Sequence, residues 1–546
     1  MLRKLMSPAA LALLWAAACS GDNGATPLPA CTPAAGGAVA LAAGQYTAID
    51  PAADHGCAVF PANASATDTV EYLVVAQSAS GVPGTTSPFI LNAGGSLTVA
   101  GSPARPARSA AQRFHDHLRE IEETGDYASI LPAGFRPRPA PPVVAGAPPD
   151  SGTLRTFKVC ANLNCNPLKN VTARALIVRP PLALYVDTLA PSSGLTAGDL
   201  DSLATVFTTR LFAIDTTRFG RESDIDQNSV VIVLMTPQVN ALVTSSQCHT
   251  GGFVAGYFFG ADIDPTFAGS FNDGEIFYSI VADPDSVYSC PHPATEVKHL
   301  VPVTFIHEFQ HMISYNQHVL VRHGQSEVLW LNEGMSHFAE ELGGRSYLAE
   351  GDSTSFERFI VGDFYNASQF FDSTEHHFLL PGSGISTLAE RGGAWAFVRY
   401  LVGRYGDSLT NKLEQTSATG AANVQLQTGA PFAQSVTRWA LANWVSDLPG
   451  FTPPPELTYA SSQLRATYAW LHTIVPSAFP PGFPLAPPVG LPSSVTLADT
   501  LHAGSGSYQR IVQPPGSPTF TLQFGVTPKV AFASNVVARL DVIRIR

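Results

Sequence analysis

The sequence predicts an α+β protein in which a mixed sheet precedes a run of helices, with small β-rich domains on either side. Three patterns lead there. Strand-like runs interleave with helical ones between residues 151 and 290, helical periodicity dominates from Pro302 to about Trp470, and short β-rich runs separated by Gly, Ser and Pro turns fill both ends. A chain of 546 residues has ample length for several domains, and 45% apolar against 14% charged residues excludes disorder throughout. The formal net charge of -12 argues against a polyanionic partner, so nucleic acid is not expected.

Residues 1–18 read as a signal peptide: Arg3 and Lys4 precede an apolar run from Leu5 to Ala18, too short to span a bilayer comfortably. The run ends in Ala16-Ala17-Ala18-Cys19, which resembles a bacterial lipobox with Cys19 as the lipid-bearing residue, and Ser20 fits outer-membrane sorting. The expected location is the bacterial cell envelope, as an outer-membrane lipoprotein touching membrane only through Cys19. The same alanines satisfy an ordinary export site, so secretion is the alternative. Residues 19–104 hold a tether and a β-sandwich-like domain, with strands around Glu71–Ala76 and Phe89–Asn92. Residues 105–150 carry a helix from Ala107 to Glu123 and a proline-rich connector from Pro132 to Pro149.

The main unit occupies residues 151–475. Ala173–Val178, Ala183–Asp187 and Val230–Met235 are strand-like, and Thr196 caps a helix with Asp199 at its third position. Breaks in the later helical stretch fall at Gly343-Gly344 and Pro381-Gly382. Residues 476–546 form a proline-rich segment and a C-terminal β-rich domain. The six cysteines beyond Cys19 are even in number, as disulfides require in an oxidising compartment. Connectivity does not follow from sequence, but joining neighbours (Cys31 with Cys57, Cys160 with Cys165, Cys248 with Cys290) closes three separate loops. A thiolate metal site is the rival, and it lacks any CxxC pair.

The chemistry centres on Thr304-Phe-Ile-His307-Glu308-Phe-Gln-His311-Met-Ile, an HExxH motif in an apolar helical pattern. Two imidazoles four residues apart share one helix face and can grip a single Zn²⁺ at about 2.0–2.1 Å. Glu308 can then act as general base toward a zinc-activated water. A third ligand is needed. The pattern HExxHxxGxxH fails because Ser314 and Gln317 stand where Gly and His are required. Glu333, in Leu329-Trp-Leu-Asn-Glu333-Gly334, is the candidate on a following helix.

His-Glu-Phe-Gln-His-Met-Ile with Trp-Leu-Asn-Glu-Gly resembles the gluzincin metallopeptidases, most closely the hyicolysin-like family. The resemblance extends through Phe219–Asn228, Val239-Asn240 and Gly393–Tyr400, covering about residues 170 to 450. It implies a zincin-like catalytic domain, with His307, His311 and Glu333 as zinc ligands, Glu308 as catalytic base, and a protein or peptide as substrate. Glu340, seven residues beyond Glu333, is either a hydrogen-bonding support for a ligand histidine or part of a solvated acidic face with Glu341. Tyr347, Tyr365, His376 and His377 are open candidates for stabilising the oxyanion.

Asp224, Asp226 and Asn228 follow the opening of a calcium loop, but Ser229 and Met235 replace its later residues, which favours a turn held by side-chain hydrogen bonds. Glu275 to Val281 is either an edge strand against which a peptide could pair or sheet interior. The resulting expectation is an exported zinc metalloendopeptidase. The rival is a catalytically silent surface-binding lipoprotein of the same fold, and the N-terminal part could also be a removable pro-segment.

Overall fold

The computed structural model describes residues 31–32, 36–53, 55–93, 108–131, 135, 146–527 and 530–546. The expected signal peptide, Cys19 and most of the Pro132–Pro149 connector lie outside these residues. Among the described residues no helix is long and apolar enough to cross a membrane.

The two chain ends build one sandwich together. One sheet runs, in spatial order, through Gly37–Ala38, Cys57–Phe60, Phe520–Gly525, Thr86–Asn92 and Thr496–His502; the other through Val489–Gly490, Gly506–Gln513, Val70–Ser78, Ala538–Arg544 and Tyr46–Ile49. The expectation of separate β-rich domains at residues 19–104 and 476–546 is therefore corrected. The cause is visible in Val70–Ser78, whose nine residues are all buried. A buried strand needs ladder partners on both edges, and it finds them only in the C-terminal Gly506–Gln513 and Ala538–Arg544. Phe60, Tyr72, Leu91, Ile511, Leu522 and Val542 fill the space between the sheets.

The central sheet runs in the order Gly256–Phe258, Ile276–Ser279, Val231–Met235, Leu182–Asp187, Leu168–Arg179, Leu154–Cys160. Val231–Met235 pairs in parallel with both neighbours and is buried along its length, as its unbroken apolar run requires. Ile276–Ser279 lies inside the sheet, so the edge reading of Glu275–Val281 gives way to the interior one. The edge belongs to Gly256–Phe258, a strand of three residues too short for any periodicity to announce. Thr196 caps Ala197–Val206 with a full capping box to Asp199.

Against this sheet lies the motif helix, Ala294–Tyr315, with Phe305, Ile306, Phe309, Met312 and Ile313 wholly buried. Next comes the carboxylate helix, Leu329–Leu348, which continues unbroken through Gly343-Gly344. Those glycines serve close packing instead: a Cβ at Gly343 would come within 2.8 Å of the Phe359 ring on helix Ser353–Asp372. Helix Leu388–Tyr405 packs beside them. The helix expected within the connector spans Ala110–Thr124, begins with a Ser109 capping box, and is docked into this main core by Phe114, Leu118 and Ile121. Their spacing places all three on one apolar stripe, so the segment is part of the main unit rather than linker. Cys31–Cys57, Cys160–Cys165 and Cys248–Cys290 are joined as neighbours, which leaves no thiolate among the described residues for the rival metal reading.

Candidate metal centre

His307 and His311 leave the motif helix on one face, one turn apart, and Glu333 meets them from the carboxylate helix. The two Nε2 atoms stand 3.1 Å apart; Glu333 Oε2 is 3.6 Å from His307 Nε2 and Oε1 is 3.9 Å from His311 Nε2. Zinc bonds of about 2.0–2.1 Å at tetrahedral angles imply ligand separations of about 3.3 Å, so these atoms bracket the spacing the ion demands. All four predicted residues are buried, with exposures of 7% for His307, 2% for Glu308, and 1% each for His311 and Glu333. Neither carboxylate oxygen of Glu333 accepts a hydrogen bond, although both are buried. Its charge is met by the Arg391 guanidinium on Oε2 and by the two imidazoles, and a divalent cation at the point between them would satisfy both oxygens. The donor set therefore fits zinc.

The surroundings prepare each donor for that role. Burial alone would lower the pKa of His307, but the carboxylates of Glu333 and Glu340 outweigh it and raise it to about 9. In the metal-free protein a proton thus takes the place the cation would hold. His307 Nδ1 bonds Glu340 Oε1 at 2.6 Å, which directs Nε2 toward Glu333. Glu340 is accordingly the support rather than a solvated residue, and Glu341 is buried against Trp395, Arg345 and Arg399. His311 is held well below the usual imidazole range by burial and by the Arg119 charge, and its Nδ1 contacts Asn332 Oδ1 and Ser336 Oγ. Burial opposes ionisation of Glu333, but Arg391, 3.1 Å from its Oε2, keeps it well below the ordinary carboxylate range.

Glu308 takes a hydrogen bond from the Phe258 amide on the edge strand, 2.8 Å from Oε2. Burial raises its pKa, with His307 and Arg119 opposing, the direction that would suit a proton acceptor. His337 extends the arrangement: its Nδ1 lies 3.0 Å from Glu340 and 2.9 Å from Asp363, and these acids overcome burial to raise it to about 10.

The four oxyanion candidates are engaged elsewhere. Tyr347 packs on Phe359 and carries the Arg210 guanidinium, Tyr365 is exposed beside Phe479, His376 faces Glu375, and His377 bonds Glu390. The expected calcium set also fails to converge. The Asn228 amide donates to Asp226 and its Oδ1 caps Val230, so its oxygen is committed to the turn; Glu275 comes near Asp224 and Asp226 in its place. Sequence reasoning missed Arg391, Asn332, Ser336 and His337 because none belongs to a ligand motif. The only signals were the adjacency of Asn332 to Glu333 and the one-turn spacing of Glu333 and His337. It also missed His115, Asp116, Arg119 and Glu122, which approach the centre from helix Ala110–Thr124.

No protein-family model matches the chain, and no curated protein matches it. Among solved structures, a variant of an M1 zinc metallopeptidase from Deinococcus radiodurans aligns with 56% of this chain and 62% of its own, at 13% identity and a TM-score of 0.28. The match thus spans less than two thirds of that enzyme. At that TM-score the likeness carries no argument about fold or chemistry, which rest on this chain's own side chains.

Proposed function

We propose that this chain is an exported, zinc-dependent metalloendopeptidase of the hyicolysin-like gluzincin type. The observation that carries the reading is the convergence of His307, His311 and Glu333 on one buried point, with Glu308 beside it and hydrogen-bonded to the edge strand. Zinc, when bound, supplies Lewis-acid polarisation of the scissile carbonyl and of the attacking water. Glu308 takes the proton from that water and delivers it to the leaving amine. Glu340 and Asn332 fix the two imidazole orientations, and Arg391 keeps Glu333 ionised for its ligand role. Cleavage within chains is preferred over trimming of amino termini because no Gly-Ala-Met-Glu-Asn-like segment is present to hold a free amine.

The disulfides and the leader sequence support an oxidising, extracytoplasmic location, with a lipid at Cys19 in the bacterial envelope as the favoured form and secretion as the alternative. Calcium is not part of the proposal. Zinc content and cleavage of a broad peptide library, compared between wild type and Glu308→Gln, test the reading. The expected result is one zinc per chain in both, with kcat reduced by about 10²–10⁴-fold in the variant. Bound zinc without Glu308-dependent cleavage would favour the silent binding protein.

A further inference from the structure

Every group of the metal centre is nearly sealed from solvent, yet a peptidase must admit a peptide to an open position on its metal. Helix Ala110–Thr124 borders the centre, and its His115, Asp116, Arg119 and Glu122 recur at the spacing of one helical face. Asp116 meets Arg391 at 3.0 Å, and Arg391 in turn holds Glu333. Arg119 donates to the Phe258 carbonyl, while Glu122 accepts from the Gly260 amide at 2.6 Å. His115, half-buried, lies within electrostatic reach of Glu333 and His307.

The choice of partners is informative. Gly256–Phe258 is the edge strand, and its outward main-chain groups are what an extended peptide would pair with beside the metal. The Phe258 carbonyl lies at the end of this strand and the Gly260 amide opens the turn that follows it. Both are taken by side chains of the helix.

We propose that helix Ala110–Thr124 is an autoinhibitory latch lying in the substrate groove, so that the chain in this conformation is latent and the helix must move aside before a peptide can bind. The inference rests on the peptidase reading above. The latch is tied down away from the chemistry as well: Glu123 accepts from the Leu329 amide at 3.1 Å, and Glu120 from the Gly384 amide at 2.7 Å and Ser383 hydroxyl at 2.8 Å. Its seat is incompletely satisfied, as expected of an element that must leave. Arg119 Nη1 is buried without a partner, and burial raises Glu122 to about 7, with Arg119 opposing. Cavities of about 280 Å³ and 620 Å³ run along the helix flanks, the first bounded by Glu120, Glu123 and Leu329, the second by Arg113, Asp116 and Asn162.

The test uses the full zinc-loaded chain, a fluorogenic peptide library and a peptide hydroxamate as active-site probe. Arg119→Ala removes the edge-strand contact, and a Glu120→Ala/Glu123→Ala double variant loosens the helix without touching the metal centre. The latch requires both variants to gain at least about tenfold in kcat/KM and to bind the hydroxamate more tightly. It also requires amide exchange across residues 110–124 of the wild type to accelerate when the hydroxamate binds. Equal or lower rates in both variants, with zinc content unchanged and helix amides as protected with probe as without, would overturn the latch while leaving the peptidase reading intact. If a variant misfolds or no form cleaves, the wild-type exchange measurement decides alone. Absence of zinc from every form would overturn both readings, and metal analysis distinguishes that result from the others.

Discussion

Two clusters of ligand-type side chains in this molecule look alike on paper and differ in substance. His307, His311 and Glu333 stand on two helices pressed into the core; Asp224 and Asp226 on a surface turn gather with the buried Glu275 at the start of an interior strand. In the first, Glu333 is buried and takes no hydrogen bond, and the outer imidazole nitrogens are held by Glu340 and by Asn332 with Ser336. In the second, Asp224 is exposed and accepts from Ser229, Asp226 accepts from Asn228, and Glu275 accepts from Ser223 and Ile225. The turn spends most of its acceptors on its own loop, and only Glu275 Oε2 is left buried without a hydrogen bond. A set of donors becomes a candidate site when rigid elements aim them at one point and neighbouring side chains hold them in that orientation.

The largest expected effect separates the clusters directly. Glu333→Gln should lose bound zinc and with it essentially all peptide cleavage, whereas Asp224→Asn should keep both; metal analysis with a cleavage assay checks the pair, and equal behaviour would erase the distinction. Next, removing the packing beneath the donors should matter more than altering the turn. Phe309→Ala, wholly buried against Phe207 and Phe212, should cost about 3–5 kcal/mol in denaturant unfolding, against changes within about 0.5 kcal/mol for Asp224→Asn.

Glu340→Gln should weaken zinc affinity about 10–100-fold while leaving the bound stoichiometry at one, as competition with a chelator would read. The smallest effect concerns pH. The folded pKa of His307 in the metal-free protein, about 9, exceeds the ordinary imidazole value, so its protonation stabilises the fold fully below about 6.5 and that contribution fades as pH rises through 9. Chelated protein should therefore lose thermal stability across that window relative to its own value at pH 6. Zinc-loaded protein should not, because the ion replaces the proton. Parallel melting curves would refute this.

Much of the site is legible in the chain itself because its parts are local. HExxH places two imidazoles on one helix face by spacing alone, and Leu329-Trp-Leu-Asn-Glu333-Gly334 offers its carboxylate on the next helix. Neighbouring cysteines close short loops and pair as neighbours. What escaped reading was non-local. The edge strand Gly256–Phe258 is too short to carry a pattern; Arg391 reaches Glu333 from 58 positions away, the difference between the two residue numbers. The long Val70–Ser78 strand could not reveal that its ladder partners lie beyond residue 500.

By itself, then, the sequence pointed to the α+β class, to His307, His311 and Glu333 as candidate donors with Glu308 beside them, and to the capping of individual helices, since these rest on periodicity, short motifs and the resemblance they carry. The tertiary structure decided that the two ends share one sandwich, that Gly256–Phe258 is an edge strand, and that helix Ala110–Thr124 docks beside the metal centre through Asp116 and Arg391. Strand partnership and helix docking depend on which buried polar groups and apolar stripes find complements across hundreds of residues, and no local pattern encodes that choice.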